Sequence, residues 1–334
     1  MPITRAKLIA GIDLGGTNIN VGLVDADGHV LPISQLNKKT QAILGPTVVI
    51  QRIADAVAES CEQAGIKLRS LGGIGIGAAG AVDPNTGIVL RGGNLGFTKI
   101  PLAARLQKKL GPRVYVANDV NAAVYGEWKA GASIGATDAL GVWIGTGVGG
   151  GLILNGKLYG GGLLTAGEIG HMTLFPGAPL GRRSLEQNCS RTAIAERLTY
   201  LVSSGHASSL KLALDEERKR VKEKGDFDPT KLMRSKHVAE AYRRGDDLTL
   251  RVVAEAADLL GIAIAGVVTL LSLPHVVLGG GFTEALGEPW VRSVRESVKA
   301  RVFPIDLRKV EVVGTQLRDI AGIVGAALLA RENL

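Results

Sequence analysis

Two stretches of the chain carry the same alternation of apolar runs and turn residues. LIAGIDLGGTNINVGLVDADGHV (8–30) reads as an apolar strand, a glycine-rich turn, a second strand and then Asp27-Gly28. DALGVWIGTGVGGGLILNGKLY (138–159) reads the same way, with Gly145-Thr146-Gly147 in its first turn and Asn155-Gly156 in its last. Asx-Gly between apolar runs predicts a β-hairpin, because Asn, Asp and Gly accept the positive φ that such turns need. Two matched hairpins predict a duplicated architecture, with two half-sites facing one another across a cleft.

Between the hairpins, GGIGIGAAGAVDPNTGIVLRGGNLGF (72–97) predicts a strand over 73–77 ending in small residues. A turn at Asp83-Pro84-Asn85-Thr86-Gly87 follows, then a glycine-flanked loop that carries Asn94. RVYVANDVNAAVYGEW (113–128) predicts a strand, then Asn118-Asp119, then a helix starting near Val120. LLGIAIAGVVTLLSLPHVV (259–277) is apolar enough to raise a membrane span. Pro274 and His275 interrupt it and glycines follow, so a buried helix and then a buried strand are expected. That strand leads into VVLGGGF (276–282), with a helix expected after Thr283.

Length and composition narrow this picture. A chain of 334 residues has room for two domains. With 46 glycines and only 4% aromatic residues, its core must be built mostly from Val, Leu, Ile and Ala. Two cysteines, Cys61 and Cys189, supply no disulfide framework, and MPITRAKLIAGID lacks the apolar core of a signal peptide, so a reducing cytoplasm is expected. The charge of +8 would attract phosphorylated ligands. Much of the excess, however, sits in Arg218, Lys219, Arg220, Lys222 and Lys224, interleaved with acidic residues and without aromatic stacking partners. That predicts an exposed helix and loop within 211–236, not a nucleic-acid platform; no nucleic-acid or membrane partner is expected.

The candidate chemistry lies in the turns. A glycine-rich turn lets backbone N–H groups reach phosphate oxygens without a side chain intervening, and Thr17 or Thr146 adds a hydroxyl donor. One such turn is usually only a tight connection, but two at matched positions carry more weight. The cluster Gly279-Gly280-Gly281 is equally compatible with a flat surface for a nucleoside and with close packing of helix on strand. Asp119, at the end of a strand and the start of a helix, occupies the usual place for a catalytic carboxylate in an open α/β sheet. The plainer reading is that Asp119 caps the helix, yet Asn118 and Asn121 flank it and one cap needs one residue.

Taken in order, GIDLGGTNINVGLVD, GIGAAGAVDPNTG, NLGF, ANDVNAA, GTGVGGGLILNG, GEIGH, LEQNCSRTAI and LGGGF resemble the ROK sugar kinases over nearly the whole chain. The resemblance implies an α/β fold of two ribonuclease-H-like domains of the actin/hexokinase type with an interdomain cleft. The smaller domain would be 1–118 plus 318–334, the larger 119–317, with hinges near 118–120 and 315–320. It implies that Asp13, Gly15, Gly16, Thr17 and Asn18 form one phosphate turn and Gly145, Thr146 and Gly147 the other, with magnesium carried by ATP near Asp13. Gly279, Gly280 and Gly281 would lie at the adenosine. Gly80, Asn94, Asn118, Asp119, Glu168, His171 and Glu186 would hold the sugar, and Asp119 would be the catalytic base. A homodimer is implied as well.

One departure is large. Most members join the histidine of GEIGH to three cysteines in a zinc site. Here the matching positions hold Gly177, Pro179 and Ser184, and two cysteines in the whole chain cannot supply three thiolates, so no structural zinc is expected. His171 is then expected to contact sugar directly. The loop 172–185 must be ordered by other means, for which Leu174, Phe175, Pro176 and Pro179 offer apolar packing and restricted φ.

The expected activity is transfer of the γ-phosphoryl group of ATP to a hexose, by default to the 6-hydroxyl of glucose. Alternatives within the fold are a polyphosphate-dependent glucokinase and an N-acetylhexosamine or fructose kinase. A non-catalytic sugar sensor or a repressor ranks lower. Only ten residues precede Gly11, too few for a DNA-binding module, and both phosphate turns and Asp119 are present.

Overall fold

The computed structural model describes residues 7–224 and 233–334, which group into two compact units. The first comprises Met1–Thr137, Gly151–Ala166 and Asp319–Leu334, and the second Asp138–Gly150 and Gly167–Arg318.

In the first unit, strands β1 (Ile9–Leu14) and β2 (Asn18–Val24) form the antiparallel hairpin read from the sequence, and β3 (Leu36–Lys39) pairs with β2. Helix α1 (Pro46–Gln63) leads to β4 (Gly73–Ala78), which runs parallel to β1. A small antiparallel sheet of β5 (Ala81–Asp83), β6 (Ile88–Gly92) and β7 (Phe97–Pro101) follows, then α2 (Leu102–Leu110), β8 (Val114–Asn118) and α3 (Asp119–Ala130). The main sheet has the order β3-β2-β1-β4-β8.

The period-two alternation of β1 and β4 explains their composition. Ile12, Leu14, Ile74 and Ile76 face one side, fully buried against Val49, Ile53 and Val57 of α1 and Leu102 and Leu106 of α2. Each such side chain contributes about 1.5–3 kcal/mol on burial. Gly11 and Gly75 face the other side, where a Cβ would run into the backbone of the C-terminal helix at Ile323 and Ala326. Asp13 shares that face, and its neighbour on the helix is Gly322.

Strands β9 (Ala139–Ile144) and β10 (Val148–Leu154) open the second copy of the pattern, and the division between the units falls inside β10, at Gly150/Gly151. β10 pairs with β11 (Lys157–Tyr159) across Asn155 (φ 52°) and Gly156 (φ 66°), the two-residue turn predicted from the sequence. The second unit continues with α4 (Glu186–Cys189), α5 (Arg191–Ser203), α6 (Leu210–Lys224), α7 (Ser235–Arg243) and α8 (Asp247–Leu271). It ends with β12 (His275–Gly279), α9 (Gly281–Leu286), α10 (Glu288–Arg301) and β13 (Glu311–Gly314), before α11 (Ala321–Asn333) returns to the first unit. The sheet order β11-β10-β9-β12-β13, with β12 parallel to β9 and β13, repeats that of the first sheet.

The apolar stretch 259–277 forms the end of α8, a buried turn residue, Leu273, and the buried strand β12. α8 is long and apolar enough to span a membrane, and more than half of its most apolar window is buried within the protein. Of the basic segment, Arg218 and Lys219 lie on α6, where Arg218 donates to Ser203 Oγ (2.7 Å). The side chains of Arg220, Lys222 and Lys224, and residues 225–232, lie outside the described residues.

Thr137/Asp138 separates the units where a boundary at 118/119 was expected. The cause is the α3–α11 contact. Gly126 and Gly325 face one another with no room for a Cβ on either, so α3 packs at backbone distance on α11 and stays with the first unit. Helix starts also shift slightly: α3 begins at Asp119 and α9 at Gly281, before Thr283.

Candidate active site

In the first unit, the turn after β1 is closed by Gly15 N–H donating to Asn18 O (3.0 Å). It is fastened from outside by Thr40, whose N–H donates to Thr17 O (2.9 Å) and whose Oγ1 donates to Gly15 O (2.7 Å). Thr40 is itself fully buried. Asp13 stands opposite Asn20 in the hairpin register, and Asn20 Nδ2 donates to Asp13 Oδ2 (3.0 Å). Burial pushes the Asp13 carboxyl above the usual carboxylate range, and the Asn20 bond offsets this only in part. Lys39 Nζ donates to Asn18 Oδ1 (3.0 Å), placing a cation beside the turn. A Cβ on Gly16 would lie 2.7 Å from Asn94, so the turn and the Asn94 loop abut directly.

Asn118 is the cap of α3, its Oδ1 accepting from Asn121 N–H (2.9 Å). The plainer reading of Asp119 as the cap therefore fails. Asn118 Nδ2 donates to Gly80 O (3.0 Å) and to Asp119 Oδ1 (3.0 Å), and Val120 N–H donates to the same Asp119 oxygen (3.0 Å). One side chain thus ties together Gly80, Asp119 and the helix start. Asp119 is left half-buried at the C-terminal end of a parallel strand, held through Oδ1.

In the second unit, Gly145 N–H donates to Gly147 O (2.9 Å), making a tighter turn than its counterpart. The start of α5 holds it: Arg191 N–H donates to Gly145 O (3.0 Å), Thr192 Oγ1 to Thr146 O (2.9 Å) and Arg191 Nη2 to Thr146 Oγ1 (3.2 Å). Glu186 reaches the same turn, its Oε2 accepting from Val148 N–H (2.9 Å) in the space that a Gly147 side chain would take. A residue assigned to the sugar is thereby joined to a turn assigned to phosphate.

GEIGH forms a 3-10 turn in which Gly167 takes φ 95° and a Cβ on Gly170 would strike the Val148 carbonyl. This turn brings His171 Nε2 to 3.9 Å from Glu168 Oε2, both side chains more than half exposed. Of the three glycines expected at the adenosine, Gly279 is required by Trp143, which a Cβ would meet at 2.5 Å, and Gly280 by φ 87° and the backbone of Ile144. A Cβ on Gly281 or Gly145 would meet nothing within 4 Å, so packing explains neither of them. Beside α9, a cavity of about 530 Å³ is lined by Thr283, Glu284, Gly287, Glu288, Gly314 and Thr315, among others.

Cys189 is fully buried, its Sγ donating to Ala256 O (3.4 Å), and burial pushes its thiol up to about 12. Burial raises Cys61 as well, in the core of the first unit. Neither cysteine lies at the positions 177, 179 and 184, which hold Gly, Pro and Ser. Of the residues expected to order loop 172–185 by apolar packing, Leu174 is half-buried, whereas Phe175, Pro176 and Pro179 are exposed. The sequence reading also passed over Asn20, Thr40, Arg191, Thr192 and Gly322. A period-two reading of the first hairpin would have found Asn20, and the run Cys-Ser-Arg-Thr after Glu186 signals a capped helix start.

Two sheets of repeated order, each opened by a glycine turn, define a fold of the actin/hexokinase class. The ROK family model matches residues 9–333, and the chain belongs to that family. It is 34% identical to the glucokinase of Thermotoga maritima, over 99% of both chains, and 32% identical to that of Halalkalibacterium halodurans, over 97% of this chain and 94% of that one. It superposes, with a TM-score of 0.81 and 31% identity, on the ROK glucokinase of Streptomyces griseus in complex with glucose and AMPPNP, covering 97% of this chain and 99% of that one.

Proposed function

We propose that this protein is an ATP-dependent glucose kinase that phosphorylates the 6-hydroxyl. The observation that carries the reading is the similarity, over almost the full length of both chains, to a glucokinase bound to glucose and an ATP analogue. In this reading Gly15–Asn18 and Gly145–Gly147 are phosphate-binding turns, and Gly281 serves the nucleoside end. Asn94, Asn118, Glu168, His171 and Glu186 fix the sugar hydroxyls, which need several oriented acceptors and donors. Asp119 accepts the proton of the attacking hydroxyl as the new O–P bond forms and ADP departs. The rest of the rate comes from alignment and from N–H groups aimed at the transferring phosphoryl oxygens.

Magnesium fits at Asp13, a half-buried carboxylate that accepts from Asn20 Nδ2 and carries a desolvation cost that a cation would relieve. When bound with ATP it supplies charge neutralisation of the phosphates. The residues at the family's zinc position do not fit that metal, and no step depends on it. A cytoplasmic homodimer completes the proposal. The test is a coupled phosphorylation assay on glucose, mannose, fructose and N-acetylglucosamine, with ATP and polyphosphate as alternative donors. Glucose with ATP is expected to give the highest kcat/KM. A higher kcat/KM with polyphosphate, or with any other sugar of the panel, overturns the assignment.

A further inference from the structure

Loop 172–185 joins His171 to Glu186; its positions 177, 179 and 184 offer no thiolates, and Phe175, Pro176 and Pro179 are exposed. Its two arms run antiparallel: Thr173 bridges Ser184, Leu185 N–H donates to Met172 O (2.9 Å), and the N–H groups of Leu174 and Phe175 donate to Arg183 O (2.9 and 3.1 Å). The arm that returns toward Glu186 is gripped from α4 by the two residues that follow Glu186. Gln187 Oε1 accepts from Arg183 N–H (2.8 Å) and Ser184 N–H (3.0 Å). Asn188 Nδ2 donates to Arg182 O (3.0 Å) and Ser184 O (2.8 Å). One amide serves as acceptor and the other as donor, so together they satisfy four backbone groups over three residues. Buried Leu185 anchors the arm at its base.

We infer that Gln187 and Asn188 are positioning residues that replace a metal in ordering loop 172–185, and that they thereby set His171 and Glu186 for the sugar. The inference rests on the reading of those two residues as sugar contacts. Its chemistry is directional. Gln187 is used through its oxygen, so Gln187→Glu keeps the acceptor while Gln187→Met removes it at similar size. Asn188 is used through its nitrogen, so Asn188→Asp turns a donor into an acceptor facing two carbonyls. The same amide-to-acid exchange must therefore be tolerated at 187 and damaging at 188.

The experiment compares Gln187→Glu, Gln187→Met, Asn188→Asp and Glu186→Gln with the wild-type enzyme, by amide hydrogen exchange and by steady-state kinetics. Exchange at Arg183 and Ser184 should speed up about tenfold or more in Gln187→Met and Asn188→Asp, and stay near wild type in Gln187→Glu. KM for glucose should rise by about tenfold in the first two, the scale of one or two lost hydrogen bonds, with KM for ATP changed less than twofold. Unchanged exchange in Gln187→Met, or equal damage in Gln187→Glu, overturns the staple. Faster exchange without a rise in KM for glucose overturns the positioning role. Parallel loss of kcat, both KM values and thermal stability overturns it also, as a general structural defect. Glu186→Gln separates the two levels: if it leaves KM for glucose unchanged, the sugar-site reading fails, while the exchange data still decide the staple.

Discussion

Asn118 and Asp119 are neighbours in sequence, yet the structure separates their work, and substitution should separate it too. Asp119→Asn preserves shape, and its amide oxygen can still accept from Asn118 Nδ2 and Val120 N–H, both now at 3.0 Å. The helix cap is untouched because Asn118 provides it. Folding stability should therefore move by less than about 1 kcal/mol, within the range of substitutions that break no cap, core or network. Catalysis should fall by about 10²–10⁴-fold in kcat, the usual share of a general base, with KM for glucose changed only a few-fold. Asn118→Ala reverses the weighting. It removes a cap of about 1 kcal/mol and two donor bonds of roughly 0.5–1.5 kcal/mol each, for a total near 2–4 kcal/mol. Chemical denaturation and the coupled kinase assay, run on both variants, read the two effects. If Asp119→Asn keeps kcat within tenfold of wild type, or unfolds as readily as Asn118→Ala, the division of roles is refuted.

Other outcomes follow from the same geometry. Burial raises the Asp13 carboxyl, so the folded protein holds that proton more tightly than the unfolded chain. Its contribution to stability is full below the ordinary carboxylate range and is lost as pH rises through its raised value. Asp13→Asn should flatten this decline in a pH series of denaturation curves on nucleotide-free protein while abolishing kinase activity; an unaltered slope contradicts the account. Gly147→Ala places a methyl group on the Glu186 carboxylate and breaks its bond from Val148 N–H, a charge-assisted bond worth roughly 1.5–3 kcal/mol, so kcat/KM should fall about 10–100-fold. Gly145→Ala meets no neighbour in the protein; it should keep its thermal midpoint within a few degrees and raise KM for ATP, and an unchanged KM would remove that turn from the phosphates. Arg191→Gln should raise KM for ATP about 3–10-fold and weaken its salt dependence, leaving KM for glucose alone, because the guanidinium sits on Thr146 of the turn proposed to hold phosphate.

What the sequence made legible was local. Asn155-Gly156 prescribed its own hairpin because both residues carry the positive φ the turn demands, and the apolar run ending at Pro274 and His275 read correctly as helix and then strand. The repeat of two hairpins foretold a duplicated architecture, and the two sheets share one order. Tertiary arrangements were hidden. Nothing local in Gly126 or Gly325 announces that they meet, yet that meeting draws α3 into the first unit. In loop 172–185 the two prolines and the phenylalanine looked like packing material. The backbone was instead satisfied by Gln187 and Asn188, which lie outside the loop in sequence. Side-chain to backbone bonds of that kind carry no periodicity, and amides are too common for composition to mark them.

The glycines show how ligand binding and a fold can compete for one residue type, and how structure sorts them. Gly11, Gly75 and Gly325 are fixed by helix backbones that would collide with a Cβ, and Gly279 by the Trp143 ring. Their loss would be felt in folding, whatever the protein binds. Gly145 and Gly281 face open space, so their lack of a side chain does nothing for the fold. Gly147 belongs to neither class, because the space it leaves is occupied by Glu186. That occupation gives the turn at Gly145–Gly147 a direct link to a carboxylate at the foot of loop 172–185. A shift of the loop is then felt at the turn through the bond from Val148 N–H to Glu186 Oε2, and a shift of the turn at the loop. If the turn holds phosphate and Glu186 holds sugar, as proposed, coupling of this kind would make the donor and acceptor sides of the reaction interdependent without any residue having to touch both substrates.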